Sequence, residues 1–469
     1  MEQNVRESWG SRIGFLMAAA GSAIGLGNIW RFPYVAGDNG GGAFLIIYLG
    51  CVFLIMLNVM MAELALGRKS QISAVGAYKR VSRRWTFVGV MGVLSGFLIM
   101  GFYPVVGGWA TAYIFKSFTG LLVDPAAIAG HFEVFIENPV EPLLWMLLFL
   151  VVNVLIVVKG IKAGIEVAGK ILMPLLFVLL IVISIKSMTL EGAGAGLSFL
   201  FKPDWDAVSG QTFLAAIGQA FFSLSLGMGC MVTYGSYLNK GDRLPQNAFM
   251  IVTMDTIVAI LAGLALFPAL FAFGMKPTEG PGLVFSVAPA IFAAMGNIGI
   301  VLSGLFFVAL AIAALTSSVS LLEVVVAYMI DERGLKRKTA VVFSASIMGI
   351  MCIASSLSLG IWSHVKVLGV GAFDMFDFLT DKVFLAIGGF FTAIMVGWFM
   401  DKKALKEELN NQGETPFKLF EGWYFLIKYV IPFAIGAVAI TGIRSVEETG
   451  VVVLGMGIIA LLAFISKKL

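Results

Sequence analysis

Three consecutive hydroxyl residues, Thr316, Ser317 and Ser318, fall inside long apolar runs of the chain, as do an amide, Asn28, and a solitary acid, Asp255. A charge at membrane depth costs roughly 2.5–3.5 kcal/mol on insertion scales and is by default a functional candidate. The charges so placed are few: Arg31, Glu63, Asp255, Glu323, Asp374, Asp377 and Asp381. Asp255 has no lysine or arginine near it in sequence. Carboxylate, amide and hydroxyl oxygens together make a donor set for a hard cation. Two plainer readings compete: a neutral buried acid hydrogen-bonded to a neighbouring helix, and hydroxyls that only bond the preceding helical turn. Other chemistries have little to work with. There are two histidines, His131 and His364, and three cysteines, Cys51, Cys230 and Cys352, all three within apolar segments. They offer neither a histidine metal site nor a disulfide framework. The absence of a G-x-x-x-x-G-K-[ST] phosphate loop argues against an ATP-driven pump.

The elements that must position these residues carry a shared defect. Gly21–Tyr34 reads GSAIGLGNIWRFPY, inside an apolar run from about Arg12 to Gly37. Each interior glycine costs a helix about 1 kcal/mol relative to alanine, so Gly21, Gly25 and Gly27 make this one easy to open. Opened backbone is tolerable in lipid only where it faces a cavity and binds something. Alone, Gly21 and Gly25 would more readily serve close helix packing. A second segment, Gln211–Tyr237, is interrupted in the same way by Ser223, Ser225, Gly227 and Gly229. Glycine-broken segments in corresponding places of two halves point to the binding site of a secondary transporter. Tyr103, in FYPVVGGW, lies deep enough in the third segment to turn its hydroxyl toward such a cavity rather than toward an interface.

Composition sets the solvent. Of 469 residues 59% are hydrophobic and 13% charged, with a mean hydropathy of +0.96. This is an all-α, multi-pass membrane protein and one integrated domain over 1–469. About twelve apolar segments are marked at 12–37, 42–67, 86–119, 142–158, 165–187, 211–237, 246–273, 299–329, 339–359, 372–400, 423–443 and 450–466. Basic residues follow every even-numbered segment and acids collect in the alternate loops, which places both termini in the cytoplasm and the chain in the cell membrane. The first residues show no cleavable signal pattern. The breaks in segments one and six imply two five-helix repeats, 12–187 and 211–400, of opposite topology because five crossings is odd; 423–466 adds two helices. Lys276–Gly282 with Leu283–Asn297 reads as an extracellular hairpin able to cover the site. The net charge of +4 is spread over loops and gives no nucleic-acid surface. Small molecules and membrane lipid are the expected partners, and oligomeric state is not readable.

GSAIGLGNIWRFPY, followed by NGGGAFLIIY (Asn39–Tyr48), resembles the signature of the neurotransmitter:sodium symporter family, and QAFFSLSLGMG, ALTSS and FDMFDF fall in that family's order. The resemblance spans essentially the whole chain. It implies a sodium-coupled symporter, not an enzyme, with helices 1 and 6 unwound at mid-membrane. It implies a first sodium site from the Ala23 carbonyl, Asn28, Ser223, Asp255 and the substrate carboxylate. A second would use the carbonyls of Gly21, Ile24 and Ala313 with the hydroxyls of Thr316 and Ser317. The substrate carboxylate would meet Tyr103 and amides near Gly25 and Gly27, and its ammonium carbonyls near Ala23, Phe222 and Ser225. Ile99, Tyr103, Phe222, Ser223, Ser225, Met228, Ser318 and Leu321 complete the implied substrate set. An outer gate would pair Arg31 with Asp377, steadied by Gln219; an inner gate would pair Arg6 with Asp331 near Trp9 and Tyr237. Glu63 would cap amides exposed by the breaks. Glu323 and Asp381 are left without a role.

The resemblance also narrows the cargo. Amine-carrying relatives place an aspartate where this chain has Gly25, so a ligand here should bring its own carboxylate. The apolar pocket residues, with glycine on both sides of adaptable Met228, favour a hydrophobic or aromatic L-amino acid. GABA, glycine or another small amino acid is the alternative, and a non-transporting amino-acid sensor a further one. Chloride-dependent relatives carry asparagine in place of Asp255 and hold chloride with groups matching Tyr48, Gln219 and Ser223, plus a serine where this chain has Ala259. Asp255 therefore implies no chloride requirement. An ion channel would want a continuous polar pore, and a membrane enzyme an acid–base or metal constellation; neither pattern is present.

Overall fold

The structure, a computed structural model, describes residues 7–119, 125–275, 284–444 and 449–466. Its named elements are all helical, and pairing outside them is confined to two isolated bridges, Gly41 with Pro203 and Val367 with Val370. Each apolar segment marked in the sequence carries helix. Among the described residues nine helices are long and apolar enough to cross a membrane, or up to eleven if each of two bent pairs is one span. Arg12–Ala23 with Gly27–Asp38 is one such pair, bent by 46°. The other joins Gly130–Glu137 to Glu141–Val157 at 77°, a short helix the hydropathy pattern did not announce. The sixth segment stands outside that count because it divides into Gly210–Ser223 and Cys230–Gly235.

The 37-residue helix Asn297–Arg333, about 55 Å long at 1.5 Å per residue, is the post against which much of the molecule leans. It packs on Arg12–Ala23, Glu166–Met188 and Tyr103–Phe118. Small residues set the closest approaches. A Cβ added at Gly235 would lie 2.7 Å from the Leu64 carbonyl oxygen, and one at Gly67 would strike the Val232 carbonyl. Helix Leu57–Ser70 and the second half of the sixth segment are thus pressed backbone to backbone, as small-residue packing in membranes requires. Of the expected hairpin, Lys276–Gly282 lies outside the described residues. The part that follows forms Val287–Ala294, and Phe285 before it packs against Trp109, Phe132 and Phe307.

Candidate functional site

The first helix stops at Ala23 because Ile24 leaves helical geometry at φ −74°, ψ 102°. After the break, Gly27–Arg31 resumes as a wide turn. Carbonyls released here face the Ser317 hydroxyl, which lies 3.2 Å from Gly21 O, 3.1 Å from Ser22 O and 3.2 Å from Ile24 O. A hydroxyl has one proton, so it can satisfy one of three carbonyls at a time. The surplus oxygens form a nest that a cation would fill. Thr316 is adjacent: its Cβ would be 3.0 Å from a Cβ on Gly21, and its Oγ1 donates within its own helix to Ile312 O and Ala313 O. Gly21, Ile24, Ala313, Thr316 and Ser317 are therefore gathered in one place.

Asn28 ties the broken helix to Asp255. Its Oδ1 accepts from Gly25 N at 3.1 Å, and its Nδ2 donates to Asp255 Oδ1 at 2.8 Å and to the Asp255 carbonyl at 3.1 Å. Ser223 Oγ lies 2.9 Å from both carboxylate oxygens. All three side chains are fully buried. The groups facing Asp255 are neutral: Asn28, Ser223 and Tyr48. A buried carboxylate surrounded by neutral donors is an incomplete charge arrangement, costly unless a cation or proton joins it.

Between these two oxygen clusters lies a small cavity with an empty volume of about 280 Å³. Ser22, Ala23, Gly25, Gly27, Ser225 and Tyr103 contribute the broken-helix backbone and hydroxyls to its lining, and Ile99, Phe222, Met228 and Leu321 contribute apolar side chains. Ser317 lines it as well, so the cavity and the carbonyl nest share a residue. Tyr103 Oη accepts from Leu26 N at 3.0 Å, and Ser225 Oγ donates to Ser22 O at 2.7 Å. The break in the sixth segment shapes this wall. Ser225 sits at φ 52° with Gly227 at 75° and Gly229 at 78°, a left-handed backbone that a side chain disfavours. Glu63 Oε1 accepts from the Gly227 amide at 2.8 Å and so supports the opened turn.

Two residues expected in the pocket do not line it. Ser318 points the other way, donating to Asn153 Oδ1 at 2.6 Å, because successive residues on a helix lie about 100° apart and Ser317 takes the inward face. Ser223 is turned to Asp255 rather than to the cavity.

The expected outer pair is also different. Arg31 makes a two-pronged bond to Asp381, at 2.7 and 3.1 Å, not to Asp377. The two acids are four residues apart on one helix face. The wide turn Leu379–Phe384 carries Asp381 toward Arg31. Asp377 remains close enough to add to the field around Arg31. The guanidinium stands 4.8 Å over the Phe222 ring. Gln219 donates to the Gly27 carbonyl at 2.6 Å, bracing the backbone and not Arg31 itself.

At the other end Arg6 lies outside the described residues, and Asp331 accepts from Ser73 N at 2.6 Å. Trp9 donates its indole N–H to Tyr234 O at 3.1 Å and meets Tyr237 edge-on at 6.2 Å. Sequence reasoning missed the charge pair beside them. Tyr237 donates to Glu323 Oε1 at 2.7 Å, and the other carboxylate oxygen pairs with Arg337 at 2.5 Å. Arg337 also reaches Glu7 at 3.5 Å. Glu323 and Arg337 lie on either side of a helix end at Gly334 that reverses the chain, and hydropathy marks that stretch only as a gap.

Residues 6–126 and 131–452 match the sequence profile described as the Sodium:neurotransmitter symporter family. A Bacillus subtilis protein named "Uncharacterized sodium-dependent transporter YhdH" is 40% identical over 439 residues, covering 93% of this chain and 97% of its own. The sodium-dependent serotonin transporter of Drosophila melanogaster is 27% identical, over 95% of this chain and 78% of its own. The crystal structure of MhsT in complex with L-phenylalanine superposes with a TM-score of 0.86 at 46% identity, covering 93% of this chain and all of that one.

Proposed function

The chain belongs to the sodium:neurotransmitter symporter family and is a sodium-dependent transporter; from that premise we propose that it imports a hydrophobic or aromatic L-amino acid by alternating access, coupled to two sodium ions and without chloride. The observation that carries the reading is a cavity lined both by broken-helix backbone and hydroxyls and by apolar side chains, next to two oxygen clusters. An amino-acid zwitterion has the same division between its head and side chain. The solved relative at 46% identity holds L-phenylalanine, which supports an aromatic cargo.

In this mechanism the substrate carboxylate meets Tyr103 and the Gly25–Gly27 backbone and shares one sodium ion with Asn28, Ser223 and Asp255. Cargo and ion each raise the other's affinity, and linkage makes the effect reciprocal. The second ion, at Gly21, Ile24, Ala313, Thr316 and Ser317, joins the broken first helix to the Asn297–Arg333 post and so reports occupancy to the moving part. Segments one, two, six and seven rock against the remainder. Arg31 and Asp381 close one side over Phe222; Trp9, Tyr237, Glu323 and Arg337 close the other. The fixed charge of Asp255 offsets one of the positive charges that two sodium ions and a zwitterion bring in, which removes the need for chloride. The two halves, 12–187 and 211–400, form inverted repeats, and both termini face the cytoplasm of the cell membrane.

Uptake of labelled amino acids into proteoliposomes under a sodium gradient tests this. Sodium-dependent accumulation in chloride-free gluconate buffer is expected, with tryptophan, tyrosine, phenylalanine and leucine competing with one another and glycine or GABA competing weakly. The reverse competition order selects a small substrate. Binding without accumulation selects a sensor, and unchanged uptake with potassium in place of sodium overturns the symport reading.

A further inference from the structure

A groove distant from the transport pathway combines fixed cations with an apolar floor. It has an empty volume of about 680 Å³, open solvent included, between the end of helix Leu57–Ser70, helix Ala74–Val81 and the start of helix Lys402–Leu409. Leu66, Val81, Phe399 and Met400 make its floor, and Lys69 and Arg80 its polar wall. Phe399 is 60% exposed and packs edge-on against Trp85 at 4.9 Å; Trp398 beside it is 55% exposed. Exposed tryptophan and phenylalanine at the end of a spanning helix mark the level of the lipid headgroups, so the groove opens at that level and its floor continues toward the acyl region. The turn that holds Trp85 also carries Arg83 and Arg84, both exposed. Among the described residues no ion pair engages Lys69, Arg83 or Arg84. The one acid in the groove, Asp401, accepts from the Ala404 amide as the cap of its own helix.

We propose that this groove is a binding site for one anionic phospholipid, its phosphate held by Lys69 and Arg80 and its proximal acyl chain lying over Phe399. Charge complementarity selects an anionic over a zwitterionic headgroup, and the apolar floor selects a lipid over a free phosphate. Basic pockets between spanning helices take acidic headgroups on the same logic. The occupant would also brace the turn between helices Leu57–Ser70 and Ala74–Val81, because Arg80 donates to the Ser70 carbonyl and the Ser73 amide in that turn donates to Asp331.

The test is native mass spectrometry and thermal unfolding of the whole transporter in neutral detergent, titrated with phosphatidylglycerol or phosphatidylcholine. The wild type should retain one phosphatidylglycerol more firmly than any phosphatidylcholine and be stabilised by it. With about 1 kcal/mol per basic group near an acidic surface, the double variant Lys69→Gln/Arg80→Gln should bind that lipid ~30-fold more weakly. Lys402→Gln/Lys403→Gln, equal in charge removed, should bind within ~2-fold of wild type. Phe399→Ser should weaken phosphatidylglycerol while leaving Lys69 and Arg80 intact, and Lys69→Arg should restore retention lost in Lys69→Gln. Equal losses in the two double variants would reduce the effect to general surface charge and overturn the site. Equal stabilisation by inorganic phosphate would overturn the lipid assignment, as would unchanged retention in Lys69→Gln/Arg80→Gln.

Discussion

Replacing Asp255 by asparagine removes one charge and almost no volume, which makes it a sharp probe of the ion site. In the wild type Ser223 Oγ lies 2.9 Å from each carboxylate oxygen and donates its one proton to either, while Oδ1 accepts from Asn28 at 2.8 Å. An asparagine Oδ1 can still accept from both donors and its amide can donate to the Ser223 hydroxyl, so the change is chiefly the loss of charge. A sodium ion about 4 Å from the carboxylate gains roughly 4 kcal/mol at an effective dielectric near 20, before desolvation is counted. If half of that survives desolvation, sodium affinity falls by about 2 kcal/mol, or ~30-fold. The assay is sodium-dependent binding of labelled substrate to purified protein, read as the sodium concentration giving half-saturation, in chloride-free buffer. A value within ~3-fold of wild type would refute the assignment of Asp255 as a fixed anion for sodium. A partial return of binding with chloride in Asp255→Asn/Ala259→Ser is expected, since an external anion could then supply the missing charge.

Three further outcomes are expected. Gly25→Ala should abolish substrate binding with little change in folding, because its Cβ would lie 2.6 Å from Tyr103 Oη and press on Ser317; substrate affinity measured by binding would show it. Asp381→Asn should impair uptake by ~10-fold or more, as breaking a buried pair does, and Asp377→Asn clearly less; equal losses in a transport assay would argue against Asp381 as the partner of Arg31. Arg337→Gln, which leaves Glu323 buried without its cation, should raise labelling of a cysteine placed at Ala327 near Tyr237 and Asp331, whereas unchanged accessibility would detach this pair from the inner closure.

How much of this was legible in the chain differs by feature, for physical reasons. The breaks were legible because glycine and hydroxyl residues in an apolar run leave few other tolerable backbones in lipid. Asp255 was legible as a candidate cation ligand because an unpaired acid at that depth demands oxygen neighbours, whereas Asn28 and Ser223 as those neighbours came from the family resemblance. The choice between Asp377 and Asp381 was not legible: both lie on one helix face, and a wide turn over Leu379–Phe384, with no sequence signature, decides which meets Arg31. Ser318 was put in the substrate set by the resemblance, although on a helix it lies about 100° from Ser317 and cannot share that residue's inward direction. Glu323 lacked a role because its cation is 14 residues away, across a reversal that hydropathy marks only as a gap.

The carbonyl nest at Ser317 also sets a ruler. The Ser317 hydroxyl oxygen stands 3.1–3.2 Å from each of three carbonyl oxygens, and in an octahedron the edge is the metal–oxygen distance multiplied by the square root of two. Edges of that length correspond to metal–oxygen distances of about 2.2–2.3 Å, between those typical of magnesium and calcium. A larger cation would have to part the Ser317 hydroxyl from these carbonyls, between the first helix and the Asn297–Arg333 helix that packs on it. If the proposed second ion binds here, an ion of sodium's size is the one expected to close the nest, and potassium in place of sodium is expected to bind more weakly.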